Sequence, residues 1–166
     1  MSRFNVNPFH VSPEEFEAEV ENLLRRAGLG LPEFRVQRLE KIQASDGVYE
    51  IDVTARFEVL GASFLVLIEC KNHKNPIKRE VVQVLYDRLR AVGAHKGMIF
   101  STAKFQKGAI EFARAHKIAL LQFIQGGAPI HLLSPSCISN NVALDSNLRR
   151  RNLTPYKLIS DEEVET

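Results

Sequence analysis

Two neighbouring stretches constrain this chain most. Phe64-Leu65-Val66-Leu67-Ile68 is an unbroken apolar run, and Glu69-Cys70-Lys71 follows it directly. A run of that length predicts a strand buried on both faces. Side chains at i and i+2 of a strand project to the same side, so Glu69 and Lys71 leave the strand end together. Charges at the mouth of a buried strand are costly unless they are paired or used. The stretch before it alternates: Tyr49, Ile51, Val53, Ala55 and Phe57 are expected on one face, and Glu50, Asp52, Thr54, Arg56 and Glu58 on the other. Leu60-Gly61-Ala62-Ser63 is a short link with a turn glycine, so the two strands are expected to pair as an antiparallel hairpin. That pairing brings Asp52 towards Glu69 and Lys71. Two carboxylates and a lysine at one point suit a divalent cation and a phosphate.

The rest of the chain builds around this hairpin. Ser12-Pro13-Glu14-Glu15 is a helix start, with serine as N-cap, proline at the first position and glutamate at the third. Phe16, Val20, Leu23, Leu24 and Ala27 give it a one-sided apolar stripe, closed by Gly28. A first strand is predicted over Phe34–Ile42, with Ala44-Ser45-Asp46-Gly47 turning into the Asp52 strand. After the polar loop Asn72–Pro76, a helix is predicted from about Lys78 to Val92 on Val81, Leu85, Leu89 and Val92, closed by Gly93. A strand over Lys96–Ser101, a helix over Gln106–His116 and a buried strand over Ile118–Ile124 follow. The order is α-β-β-β-α-β-α-β. A helix between the third and fourth strands requires a crossover and hence some parallel pairing, so the fold class is an α/β sandwich with a mixed sheet.

At 166 residues the chain fits one domain with a sizeable core. We expect an arm over residues 1–11, the domain proper over 12–133, and an appended tail over 134–166 that carries Arg149-Arg150-Arg151 and Asp161-Glu162-Glu163. No run is apolar enough to span a bilayer and no signal-peptide core is evident, so a cytoplasmic protein without a membrane partner is expected. Cys70 and Cys137 form no CxxC pair, which argues against a disulfide framework or a structural zinc site. The five histidines are scattered without metal-ligand spacing and read as structural. Net charge is only +2, but between positions 72 and 117 ten Lys/Arg stand against Glu80, Asp87 and Glu111 alone. A basic segment beside an acidic centre favours a polyanionic substrate.

Asp52 followed by Glu69-x-Lys71 on the next strand resembles the PD-(D/E)xK nuclease motif. The run Gly97-Met98-Ile99-Phe100-Ser101-Thr102-Ala103-Lys104-Phe105-Gln106-Lys107-Gly108-Ala109 resembles the Mrr-type restriction endonuclease branch. The likeness covers roughly residues 12 to 125, and departs from the motif in having Ile51 where proline stands before the aspartate. It implies a restriction-endonuclease-like sandwich and a metal-dependent DNA endonuclease. Asp52 and Glu69 suit Mg2+ or Mn2+, and the resemblance adds the backbone carbonyl of Cys70 as a further ligand. Lys71 is expected to orient or help deprotonate the attacking water, or to stabilise the developing charge. Phe16-Glu17 matches a helix-1 pattern whose glutamate reaches the metal site; otherwise Glu17 is one more carboxylate of an acidic helix. Gln83 is a candidate because some relatives carry a glutamine on that helix. Lys74, Lys78, Arg79, Lys104 and Lys107 are the candidate DNA contacts, the last two at a crossover whose helix start suits a phosphate. Cutting both strands takes two active sites, so a homodimer is expected. Two other readings remain at this stage: a junction-resolvase-like nuclease that selects branched DNA, and a DNA-binding module that keeps the fold without turnover.

Overall fold

A computed structural model describes residues 12–124 and 128–133. The expected arm (1–11) and tail (134–166) lie outside the described residues. The elements run α1 (Pro13–Ala27), β1 (Arg35–Ala44), β2 (Gly47–Val59), β3 (Ala62–Lys71), α2 (Arg79–Ala91), β4 (Lys96–Ser101), α3 (Lys107–Ala115), β5 (Ala119–Ile124) and β6 (Ala128–Leu133). The strands form one six-stranded sheet in sequence order. β1–β2 and β2–β3 pair antiparallel, β3–β4 and β4–β5 parallel, and β5–β6 antiparallel. This is the expected mixed-sheet α/β sandwich, with β6 as an element the sequence order did not contain. Pro129 explains that omission, since a proline within a short run argues against a strand. It falls between the Ile124↔Ala128 and Gln122↔His131 pairs, at the register shift between β5 and β6.

β3 is covered on both faces, as its apolar run requires. Val66 and Ile68 belong to a core under α1 with Phe16, Val20, Phe100 and Leu121. Leu65 and Leu67 belong to a second core under α2 and α3 with Val82, Leu85, Ala109 and Ala113. Helix α1 starts as read: the Ser12 hydroxyl accepts the Glu15 N–H at 3.1 Å, and the Glu15 carboxylate accepts the Ser12 N–H at 2.6 Å. In α2 the expected stripe of Val81, Leu85, Leu89 and Val92 packs on the core, and Val82 joins it as a fully buried member beside Leu85.

Two expectations need correction, and a third holds for another reason. Ala27 is exposed and does not join the α1 stripe. Gly28 ends that helix at φ −87°, outside the left-handed region. It is glycine because of packing: a Cβ there would stand 2.1 Å from a ring carbon of Phe34. Above all, the alternation of β2 does not hold throughout. Ile51 packs in the core under α2 and α3, whereas Val53 and Ala55 pack in the core under α1. The β2–β3 ladder reaches only as far as Val53↔Ile68, so beyond that pair β2 no longer follows the pleat of β3. Asp52 lies at the crossing point.

Candidate active site

The strand junction places the motif. β3 continues past its last pairing with β2 and stays paired with β4, through Glu69↔Ile99 and Lys71↔Ser101. Asp52 bridges the opening gap with its side chain, since its Oδ2 accepts the Cys70 N–H at 2.8 Å. Asp52, Glu69, Cys70 and Lys71 therefore meet where β2 departs from β3, at the carboxyl end of the parallel pair.

Glu69 is 6% exposed and is held by two cations. Lys71 Nζ stands 2.5 Å from Oε1, and Arg88 Nη1, from α2, stands 2.9 Å from Oε2. A buried carboxylate is tolerable only with such partners. Asp52 is half-buried and less well served. Burial, followed by the Glu69 carboxylate, pushes its pKa up, against the opposing pull of the Cys70 N–H, Lys71 and Arg88. Glu17 on α1 is also raised, by burial first and the Asp52 charge second. Glu17 therefore lies within reach of the Asp52 and Glu69 charges, while no hydrogen bond or ion pair joins it to them among the described residues. The Cys70 thiol is pushed far up by burial and by Asp52, Glu17 and Glu69.

Gln83 is half-buried on α2, and among the described residues no hydrogen bond or ion pair joins it to Asp52, Glu69 or Lys71. It precedes Arg88 by five positions, which on an α-helix is roughly 140° away around the axis. Arg88 is the residue that the sequence reading missed. The available signal was its place three residues after the inward-facing Leu85, where a cation calls for a buried carboxylate. Among the described residues, no three His, Cys, Asp or Glu side chains stand together so as to hold a metal ion. The expected set, two carboxylates and the Cys70 carbonyl, does not need a third such side chain.

The candidate DNA contacts gather on one ledge. Lys74, Lys78, Arg79, Lys104 and Lys107 are all exposed. A single parallel bridge, Ile77↔Phe105, laces the loop after β3 to the loop after β4. The Ile77 N–H donates to the Lys104 carbonyl at 2.8 Å, and the Gln106 N–H donates to the Ile77 carbonyl at 2.9 Å. Thr102 adds a second tie, its Oγ1 accepting the His73 N–H and lying 3.1 Å from the His73 carbonyl. Lys104 and Lys107 so flank Lys78 and Arg79, beside the strand end that carries Lys71.

Three comparisons bear on this arrangement. A family model described as a restriction endonuclease, Mrr_cat, matches residues 10–125. The chain is 29% identical over 142 residues to the "Type IV methyl-directed restriction enzyme EcoKMrr" of Escherichia coli (strain K12), covering 86% of this chain and 43% of that protein. The chain therefore spans less than half the length of that relative. A solved structure described as a protein of unknown function, AF1548, superimposes with a TM-score of 0.55 at 27% identity, covering 66% of this chain and 57% of the other.

Proposed function

This chain belongs to the Mrr-type restriction endonuclease family, and from that membership we propose that it hydrolyses DNA phosphodiester bonds with a divalent cation at Asp52 and Glu69. The observation that carries the reading is the junction itself, where the side chain of Asp52 is tied to the backbone between Glu69 and Lys71. The donor set fits a hard cation. Asp52 and Glu17 are both raised in pKa by burial and by neighbouring carboxylates, so negative charge is in excess on that side of the site. Asp52, Glu69 and the Cys70 carbonyl would hold Mg2+ or Mn2+, with Glu17 as a further oxygen donor. Bound there, such an ion supplies charge neutralisation and an acidified water.

The chain's own residues do the rest. Lys71, whose side chain is 24% exposed, presents its ammonium at the mouth of the site while Glu69 fixes its direction. It is placed to orient the attacking water and to stabilise negative charge developing on the phosphate. The ledge of Lys74, Lys78, Arg79, Lys104 and Lys107 holds the duplex by its backbone, a contact that carries no sequence information. Cleavage of both strands at one place is assigned to a homodimer. The methyl direction belongs to a relative of which this chain matches 43%, so methylated and unmethylated duplexes are tested side by side.

The decisive experiment is Lys71→Ala, assayed for Mg2+-dependent cleavage of linear, methylated and branched DNA. The apolar run Phe64–Ile68 precedes Lys71 and Glu69 keeps Arg88 as its counter-ion when Lys71 is truncated, so the melting temperature is expected to stay within a few degrees of wild type while cleavage is lost. A Lys71→Ala protein that cuts DNA at the wild-type rate would refute the assignment.

A further inference from the structure

One buried carboxylate needs one counter-ion, yet Glu69 has two. Lys71 comes from the same strand and takes Oε1; Arg88 comes from α2 and takes Oε2. Both oxygens of the best-buried carboxylate in the site are therefore already engaged by cations. An incoming divalent ion meets a guanidinium on one side of Glu69 and an ammonium on the other. Like charges at such spacing repel strongly in a partly buried setting. The ion and Arg88 compete for the same oxygen.

Arg88 is the partner free to leave. Its side chain is 30% exposed against 24% for Lys71. It sits on a long flexible stem, whereas Lys71 is held next to Glu69 by the strand itself. Charge favours an exchange of partners. Glu17, Asp52 and Glu69 stand against Lys71 and Arg88, leaving one negative charge. A divalent cation alone turns that into one positive charge, and a single phosphodiester brings the whole to neutrality. The planar fork of an arginine fits phosphate oxygens as well as it fits a carboxylate.

We propose that Arg88 is a displaceable counter-ion. It holds Glu69 Oε2 in the metal-free protein, yields that oxygen to the divalent cation, and moves to a DNA backbone phosphate. Metal and DNA then bind with positive coupling, each helping to remove Arg88 from the position that excludes the other. Coupling of this kind is reciprocal. The proposal rests on the functional reading above and adds to it the residue through which the two ligands communicate.

The test measures Ca2+ binding by calorimetry, with and without a short duplex verified intact afterwards, on wild type, Arg88→Met and Arg88→Lys. Methionine keeps the apolar stem and loses the charge. Without DNA, Arg88→Met is expected to bind Ca2+ at least about fivefold tighter than wild type, and Arg88→Lys within about twofold of it. The duplex should raise the Ca2+ affinity of wild type by at least about fivefold and that of Arg88→Met by clearly less. If Arg88→Met binds Ca2+ no tighter, or more weakly, Arg88 only braces Glu69 and the exchange is refuted. Should the methionine variant fold poorly, wild type alone decides: Ca2+ affinity indifferent to the duplex refutes the coupling. A wild type that cuts DNA but shows no coupling removes this inference alone. A wild type that neither binds Ca2+ nor cuts DNA removes the functional reading with it.

Discussion

Asp52→Asn separates a metal ligand from a structural partner. Asparagine keeps the volume, and its amide oxygen can still accept the Cys70 N–H that now lies 2.8 Å from Oδ2. What disappears is one negative charge. Burial and Glu69 raise the Asp52 pKa more than the Cys70 N–H, Lys71 and Arg88 lower it. The folded protein therefore binds this proton more tightly than the unfolded chain. Its stability falls as pH rises from the unfolded pKa through the higher folded one, and above that window the full cost is present. At pH 7 the substitution removes this cost. Like charges a few ångströms apart repel by about 4 kcal/mol at an effective dielectric near 20, and the loss of attraction to Lys71 and Arg88 offsets most of that. A net stabilisation on the order of 1 kcal/mol remains, or roughly 2–4 °C in melting temperature for a chain of this size. Melting curves without metal at pH 7 should show this gain, and it should shrink as pH falls through the raised folded-state pKa of Asp52. Metal-free DNA affinity should be equal to or above that of wild type, since a charge of the phosphate's own sign is gone. Mg2+-dependent cleavage should collapse. A destabilised Asp52→Asn that still cuts DNA in proportion to its folded fraction would refute the reasoning, because Asp52 would then be a structural counter-charge and no ligand.

Two further outcomes are expected. Neutralising Lys78, Arg79 and Lys104 together should weaken binding to unrelated duplexes alike and flatten the salt dependence by up to about one unit of slope per lost contact; an unchanged slope in salt titrations would place the ledge off the DNA path. Gly28→Ala should destabilise by roughly 1–3 kcal/mol, since its Cβ would stand 2.1 Å from the Phe34 ring, whereas in a Phe34→Ala background the same change should be neutral or mildly stabilising, which paired denaturant melts would show.

What was legible in the sequence was what depends on near neighbours. The Ser12–Glu15 capping box and the β4 strand follow from residues within a few positions, and the apolar run of β3 shows its double burial directly. Asp52, Glu69 and Lys71 could be brought together because one hairpin joins them. The facing of Ile51 could not be read, because nothing near it signals where β2 leaves β3; the ladder that ends at Val53 depends on the partner strand and not on neighbours in sequence. Arg88 was one of ten cations in a basic segment, and its partner lies nineteen positions earlier on another element. Gly28 was read correctly as a helix end for a reason that does not apply, since its need is room for Phe34.

The crossing of β2 has one consequence for how the site can vary. Ile51 and Val53 are both fully buried, but in cores on opposite faces of the sheet. The backbone of Asp52 is thereby suspended between two anchorages, one governed by the packing of α1 and the other by that of α2 and α3. A volume change in either core pulls on the same short span. Substitutions that change volume on one side alone are expected to shift the carboxylate, and compensating changes on the other side to restore its place. The interiors on either face of this sheet are, through a single residue, one inheritance.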